Sequence, residues 1–332
     1  MKIILLDYIS PIGHISLINF YINKFHKKFQ KIILNQKIKN SFNYNKKIKY
    51  LSIKDNSILK IIKLYFLFKE FKEKKISKII MLSYEPKIIF FLQFFIDLEY
   101  FNLYLFEHDN LSNKKFLKTF FIKNLPKKII HLTYSLPAKI FFNSRLNRKS
   151  IFIDHPIIIK SKNKDTPSFN RKFFNKINSK TILIPTRHHM NEKHINNILS
   201  KYNNINFVLL LKKSDLIKKK FFTCKNALTI EKISENDISK VCAIYLPLTN
   251  KIYKFRVSAW LYRGIGFGKI IIMENTSLFK FEKKRFPNHI AKINDKIFYD
   301  VMKFKLNKKI NNKFVKNYNQ QVIKNFESLL NK

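Results

Sequence analysis

The chain has 332 residues, enough for two domains of about 150 each, and 46% of them are hydrophobic, which supplies material for two cores. With 66 Lys and Arg against 21 Asp and Glu, its net charge of +45 excludes cationic partners and points to a polyanion: anionic lipid, anionic glycan or nucleic acid. Two cysteines, Cys224 and Cys242, exclude a disulfide framework and lack metal-site spacing, so they read as buried, reduced thiols of a cytosolic protein.

Part of the charge has a bland source, because a chain rich in Ile, Asn, Phe, Tyr and Lys looks like the product of biased codon usage. Such bias should supply Glu as readily as Lys. The shortage of acids therefore reads as functional, most simply as a face held against an anionic membrane, where each surface Lys adds about 1 kcal/mol.

In chain order, Met1-Lys2-Ile3-Ile4-Leu5-Leu6-Asp7 is too short in its apolar run for a signal peptide and reads as a first core strand. Further strands are expected at Lys2–Leu6, Lys31–Leu34, Lys78–Leu82, Asn102–Phe106, Lys128–Leu132 and Ser150–Ile153. Ile58 to Lys72 is a basic helical pattern, best read as an ordinary helix packed on a sheet. Lys114 to Lys128 interleaves Phe116, Phe120 and Phe121 with lysines, and fits a packed helix and a membrane-surface helix about equally. Ile88 to Phe106 is the most apolar stretch, but Gln93, Asp97, Glu99 and Asn102 interrupt it and argue against a membrane span.

The pattern stops between Ile159 and Lys180, where Ser161 to Ser168 is polar and carries Pro167, as a linker would. It resumes with strands at Thr181–Ile184, Asn206–Leu211, Ala227–Ile230, Val241–Leu246 and Lys269–Met273. Helices are expected near His194–Lys201, Glu235–Lys240 and Val257–Gly264, with a long final helix from Asn311 to Leu330. Short apolar runs alternating with amphipathic segments predict an α/β protein with largely parallel sheets. The predicted division is an N-terminal Rossmann-like domain at 1–160, a linker at 161–180, a second Rossmann-like domain at 181–310, and a C-terminal helix at 311–332 that can pack back on the first.

Open α/β sheets bind ligands beyond the carboxyl ends of their strands, and four such loops carry chemistry. In Tyr8-Ile9-Ser10-Pro11-Ile12-Gly13-His14, Gly13 permits a tight turn and His14 falls at a helix start; helix capping is the plain alternative for His14. No G-x-G-x-x-G fingerprint is present there, which disfavours a dinucleotide site. In Glu107-His108-Asp109-Asn110, three ionisable groups leave an apolar strand together, which is costly unless they face a cleft. A His beside a carboxylate suits a general base or a hydroxyl-binding pair.

The third loop, Thr186-Arg187-His188-His189 to Lys193 and His194, offers Arg187 as a planar fork and Lys193 as a point charge for phosphate oxygens. Its histidines lack acidic partners, so metal binding is disfavoured. In the fourth, Tyr253-Lys254-Phe255-Arg256 leads to a helix starting near Ser258, whose unpaired amides form an anion seat strengthened by Arg256 and Lys254. The chain holds only four glycines, Gly13, Gly264, Gly266 and Gly268, and the last three crowd behind that helix. Their clustering marks the segment as a place for a phosphorylated ligand.

Taken together, these residues resemble a GT-B glycosyltransferase, and most of all glycosyltransferase family 4. Leu105-Phe106-Glu107-His108-Asp109 is similar to that group's strand-His-Asp element, and Ile129 to Ser135 with Ile151 to Pro156 resembles the strands that end its N-terminal domain. Thr181 to Lys193 looks like the element whose Arg and Lys grip the donor diphosphate. Gly268-Lys269-Ile270-Ile271-Ile272 is similar to the Gly-Lys-Pro-Val-Ile entry, with Ile270 in place of proline.

The resemblance implies two Rossmann-like domains with parallel sheets facing a central cleft. It also implies a metal-independent hexosyltransferase with no cofactor beyond its nucleotide-sugar substrate. His108, Asp109 and His14 become the catalytic candidates. Gly13, Arg187, Lys193, Lys254, Arg256 and Ser258 become the donor-binding ones. The family's paired glutamates fall here on Phe255 and Arg263, so sugar and ribose recognition must differ. The expected setting is peripheral, cytoplasmic, on the inner face of the plasma membrane, with a lipid-linked or cell-envelope glycan as acceptor. The alternatives are a basic nucleic-acid-binding protein, which the charge alone supports but the His-Asp pair disfavours, and a catalytically inactive GT-B scaffold.

Overall fold

The computed structural model describes every residue except 1, 10–13, 43–46, 54, 109–115, 159–180, 186–191, 212–223, 249–256, 304–306 and 332. The chain forms two compact units: Met1–Pro156 with Phe255–Val257 and Gln320–Lys332, and Ile157–Lys254 with Ser258–Asn319. The expected linker at 161–180 lies outside the described residues.

In the first unit, β1 (Ile3–Asp7), β2 (Phe29–Asn35), β3 (Ile48–Leu51), β4 (Lys78–Ser83), β5 (Asn102–Glu107), β6 (Ile130–Thr133) and β7 (Ser150–Phe152) form one parallel sheet in the order β3-β2-β1-β4-β5-β6-β7. Central strands buried on both faces need near-continuous apolar runs, and β1 and β4 are buried throughout. Ile4, Leu6, Met81 and Leu105 face a cluster built by α2 (Ser57–Glu73) and α3 (Pro86–Leu92). Leu5, Ile80, Leu82 and Phe106 face α1 (Ile15–Phe25) and the end of the C-terminal helix. Ile122 of α4 (Phe116–Lys123) packs with Phe142 of α5 (Leu136–Arg145). Asn56 caps α2 by accepting from the Ile58 and Leu59 amides.

The second unit repeats the plan with β8 (Thr181–Ile184), β9 (Asn206–Leu210), β10 (Ala227–Ile230), β11 (Ala243–Leu246), β12 (Ile270–Met273) and β13 (Ile290–Lys292). They are parallel and ordered β10-β9-β8-β11-β12-β13. Its helices are α6 (Glu192–Lys201), α7 (Glu235–Lys240), α8 (Ala259–Gly266), α9 (Ser277–Arg285), α10 (Ile297–Lys303) and α11 (Lys308–Asn331). The residues of α11 from Gln320 onward belong to the first unit, where Phe326 packs on Tyr21 and Phe25.

Two lysines placed where their strands begin tie helix ends to the sheets. Lys78, fully buried, donates to the carbonyls of Leu329 (2.7 Å) and Leu330 (2.8 Å) at the end of α11. Lys269 donates to those of Ser239 (2.7 Å) and Val241 (2.6 Å) at the end of α7. Both satisfy carbonyls that a helix terminus leaves without intrahelical donors, and burial pulls both ammonium groups below the usual lysine range, Lys78 to about 8.

Two of the clustered glycines do structural work. A Cβ on Gly264 would lie 2.3 Å from Ile271 Cδ1 and 2.9 Å from Ile244 Cδ1, so α8 sits hard against β11 and β12. Gly268 has φ +65° and closes α8: its amide donates to Ile265 (2.9 Å) and the Lys269 amide to Gly264 (2.9 Å), the two bonds of a Schellman motif. Both positions lie toward the end of α8 remote from Ser258. Gly264→Val is expected to cost about 1–3 kcal/mol through overpacking, and Gly268→Ala about 1–2 kcal/mol through its left-handed backbone, read as shifts in a urea unfolding midpoint.

Candidate functional site

The strand order of the first unit reverses direction between β1 and β4, the point at which an open α/β sheet offers a crevice at its carboxyl edge. That edge is braced from beneath. Asp7, the buried last residue of β1, accepts a hydrogen bond from Ser83 Oγ at the end of β4. Asn35 donates to the Tyr8 carbonyl at 2.6 Å, and the Tyr8 hydroxyl accepts from the Glu85 amide at 2.9 Å.

Two histidines meet on this brace. His14 stands at the N-cap of α1, but its side chain makes no cap hydrogen bond. Its ring centroid lies 4.4 Å from that of His108, which follows β5. His108 Nε2 is 2.8 Å from the Leu82 carbonyl. A carbonyl only accepts, so Nε2 carries the proton and Nδ1 is the basic nitrogen of the neutral ring. Phe106, stacked at 6.1 Å, and Tyr134 at 5.3 Å fix the ring from the α1 side of the sheet. Tyr134 meets the Tyr21 hydroxyl at 3.2 Å and the ring of His155 at 4.9 Å.

Glu107 does not leave the strand with His108, contrary to the expectation that the ionisable groups of this segment emerge together. Side chains alternate across a strand, and its parity with Leu105 turns Glu107 to the other face. There it accepts from the Tyr84 hydroxyl and lies 2.7 Å from His131 Nδ1, with His131 wholly buried. Gly13 and Asp109 lie outside the described residues.

In the second unit the order reverses between β8 and β11. Ser258 is the N-cap of α8 in extended backbone, φ −88° and ψ 124°, with no side-chain cap bond. Arg187, Lys254 and Arg256 lie outside the described residues, and Lys193 is exposed in the first turn of α6.

Near the same switch point His194 has an acidic partner, Glu274, contrary to the expectation that the histidines of its loop lack one, because the partner comes from a distant strand end. Glu274, immediately after β12, accepts from the Tyr245 hydroxyl of β11 and lies 3.0 Å from His194 Nε2 on α6, which is itself 2.8 Å from that hydroxyl. Burial, and next the Glu274 carboxylate, push the Tyr245 hydroxyl well above the usual tyrosine range, so it stays a donor. The signal in the sequence was an acid directly after a buried strand, the same signal that exposed His108. Arg263, on the site of an expected glutamate, places its guanidinium 4.8 Å over the Trp260 ring.

Among the described residues no group of His, Cys, Asp and Glu could hold a metal ion, and no helix is long and apolar enough to cross a membrane. No protein-family model and no curated protein sequence matches the chain.

Solved structures do match it over nearly its whole length. HepE of Anabaena, solved with UDP, has a TM-score of 0.64 at 11% identity, covering 99% of this chain and 100% of that one. A glycosyltransferase of Rickettsia africae has a TM-score of 0.65 at 10% identity, covering 99% and 97%. WaaG, a glycosyltransferase involved in lipopolysaccharide biosynthesis, has a TM-score of 0.56 at 9% identity, covering 97% and 95%. Two all-parallel units, each with helices on its sheet and a switch point at its carboxyl edge, together with these neighbours, give the chain the GT-B fold.

Proposed function

We propose that the chain is a glycosyltransferase that moves a hexose from a nucleotide-diphosphate donor to a lipid-linked or cell-envelope glycan at the cytosolic face of a membrane. The observation that carries the reading is the His14–His108 pair at the switch point of the first sheet, in a fold whose solved neighbours include glycosyltransferases and several structures holding UDP. In this reading the acceptor oxygen attacks the anomeric carbon, the bond to the diphosphate breaks, and His108 Nδ1 takes the acceptor proton. His14 and Asp109 orient that exchange.

Arg187, Lys193, Lys254 and Arg256 share the diphosphate charge with the amides that follow Ser258, while the Gly13 backbone approaches the donor. This neutralisation serves the leaving group without a metal. Glu274, held by Tyr245 and His194, supplies the hydroxyl-binding carboxylate that the residues at 255 and 263 do not.

Thermal shift against a panel of nucleoside diphosphates and nucleotide sugars tests the reading, since a ligand that binds only the folded chain raises its melting temperature. Arg187→Ala and Arg256→Ala are each expected to abolish the shift with the circular dichroism spectrum unchanged, and Glu274→Gln to weaken it by about tenfold in affinity, the loss of one charged hydrogen bond. Normal nucleotide affinity in both arginine variants would overturn the donor site. A salt-steep affinity for nucleic acid without any nucleotide-sugar response would replace the enzyme reading altogether.

A further inference from the structure

We propose that α3, α4 and the turn after α3 form a docking surface that inserts aromatic side chains into the headgroup region of an anionic bilayer. The inference rests on the membrane-surface part of the proposed function and names the face responsible. Five large apolar side chains stand in water there: Phe94 (66% exposed), Phe95 (63%), Phe116 (81%), Leu117 (62%) and Phe120 (44%). The same elements have a separate core face, with Ile88, Ile89 and Leu92 of α3 and Ile122 of α4 buried, so the outer residues are surplus to packing.

Rings of the two elements meet across the surface. Phe90 contacts Phe94 at 5.4 Å and reaches across to Phe120 at 6.0 Å and Phe121 at 5.1 Å. Exposed apolar area joined in this way marks a binding surface rather than scatter. α2, which packs beside α3, carries an exposed stripe of its own, Ile58, Ile62 and Phe66 at i, i+4 and i+8.

Charge selects the occupant. Residues 85–99 and 116–128 contain Lys87, Lys118, Lys123, Lys127 and Lys128 against Glu85, Asp97 and Glu99, and 116–128 holds four of the lysines and no acid. Phenylalanines that embed at the acyl boundary, bordered by lysines that face phosphate, are the composition of an interfacial membrane contact. No described helix is long and apolar enough to cross the bilayer, so the contact is peripheral for these elements.

Flotation of the full chain with phosphatidylcholine vesicles, with and without phosphatidylglycerol, tests the surface in the absence of donor and acceptor. The chain is expected to float only with the anionic vesicles. Phe94→Ser with Phe95→Ser, Phe116→Ser with Phe120→Ser, and Lys118→Glu with Lys123→Glu should each cut the bound fraction at least tenfold, with melting temperature and nucleotide response retained. Vesicle binding equal to the wild type in both aromatic variants overturns this surface but leaves a membrane role elsewhere on the chain. Absence of wild-type binding overturns the surface and the membrane setting together, while the separate nucleotide melts still judge the transferase reading. Conversion of a wild-type dimer to monomer by Phe116→Ser, with vesicle binding intact, would make the patch a protein interface and overturn the proposal as well.

Discussion

His108→Ala is expected to slow sugar transfer by about 10²- to 10⁴-fold, the range general-base removal produces, with nucleoside diphosphate affinity unchanged within about twofold, because the proposed donor-binding residues do not include it. The size follows from how the ring is held. Leu82 fixes the tautomer at 2.8 Å, and Phe106 and Tyr134 fix the plane, so Nδ1 is preorganised and no other described side chain duplicates it. His14→Ala, which removes the ring 4.4 Å away, should cost less, because the Leu82 contact that sets the tautomer survives. Single-turnover rates on donor-saturated protein separate the two outcomes. Full turnover in His108→Ala would remove the base from this position, while lost nucleotide affinity would assign the residue to binding instead.

Lys78→Ala is expected to lower the unfolding free energy by about 2–6 kcal/mol, since two buried carbonyls lose their donor at about 1–3 kcal/mol each. The bonds at Leu329 and Leu330 join residues some 250 positions apart, and they hold the end of α11, with Phe326, against the first sheet. The charge also gives the wild type a pH signature. Burial lowers the Lys78 ammonium to about 8 in the folded chain from an ordinary 10.5.

Below pH 8 both states carry the proton and the burial cost is present in full. Between about 8 and 10.5 the unfolded chain binds more proton than the folded one, so stability rises with pH. Lys78→Met keeps the apolar stem and removes the titration, so the stability gap between wild type and this variant should widen from pH 7 to pH 9.5. Urea midpoints at the two pH values measure it, and a gap that stays constant would mean the ammonium is not desolvated in the folded chain.

Much of the plan was legible because buried parallel strands must be apolar without interruption. Thr181–Ile184 and Ala227–Ile230 appear at the expected residues, and Lys78 and Asn102 begin their strands as expected. The edge strands Ile48–Leu51 and Ile290–Lys292 did not stand out, since Lys49 interrupts the first and the second is only Ile290-Ala291 closed by Lys292. Ile58 to Lys72 was read as a packed helix, and the helix Ser57–Glu73 buries Leu64, Leu67, Phe68 and Phe71; its outer stripe of Ile58, Ile62 and Phe66 needed a surface to be seen.

The sequence by itself determined the alternation of strand and helix, the two-sheet α/β plan, and the emergence of a polar group such as His108 just after an apolar strand. All of these follow from local periodicity and from the cost of stranding a polar group beside an apolar run. The tertiary structure alone decided which of those groups meet. His14 reaches His108 because β1 and β5 both flank β4; Glu107 turns inward because of its parity in the pleat; Tyr245, Glu274 and His194 converge because β11 lies between β8 and β12. Strand order, and which face of a sheet covered on both sides meets which helix, are set by long-range burial, which carries no mark in the spacing of residues along the chain.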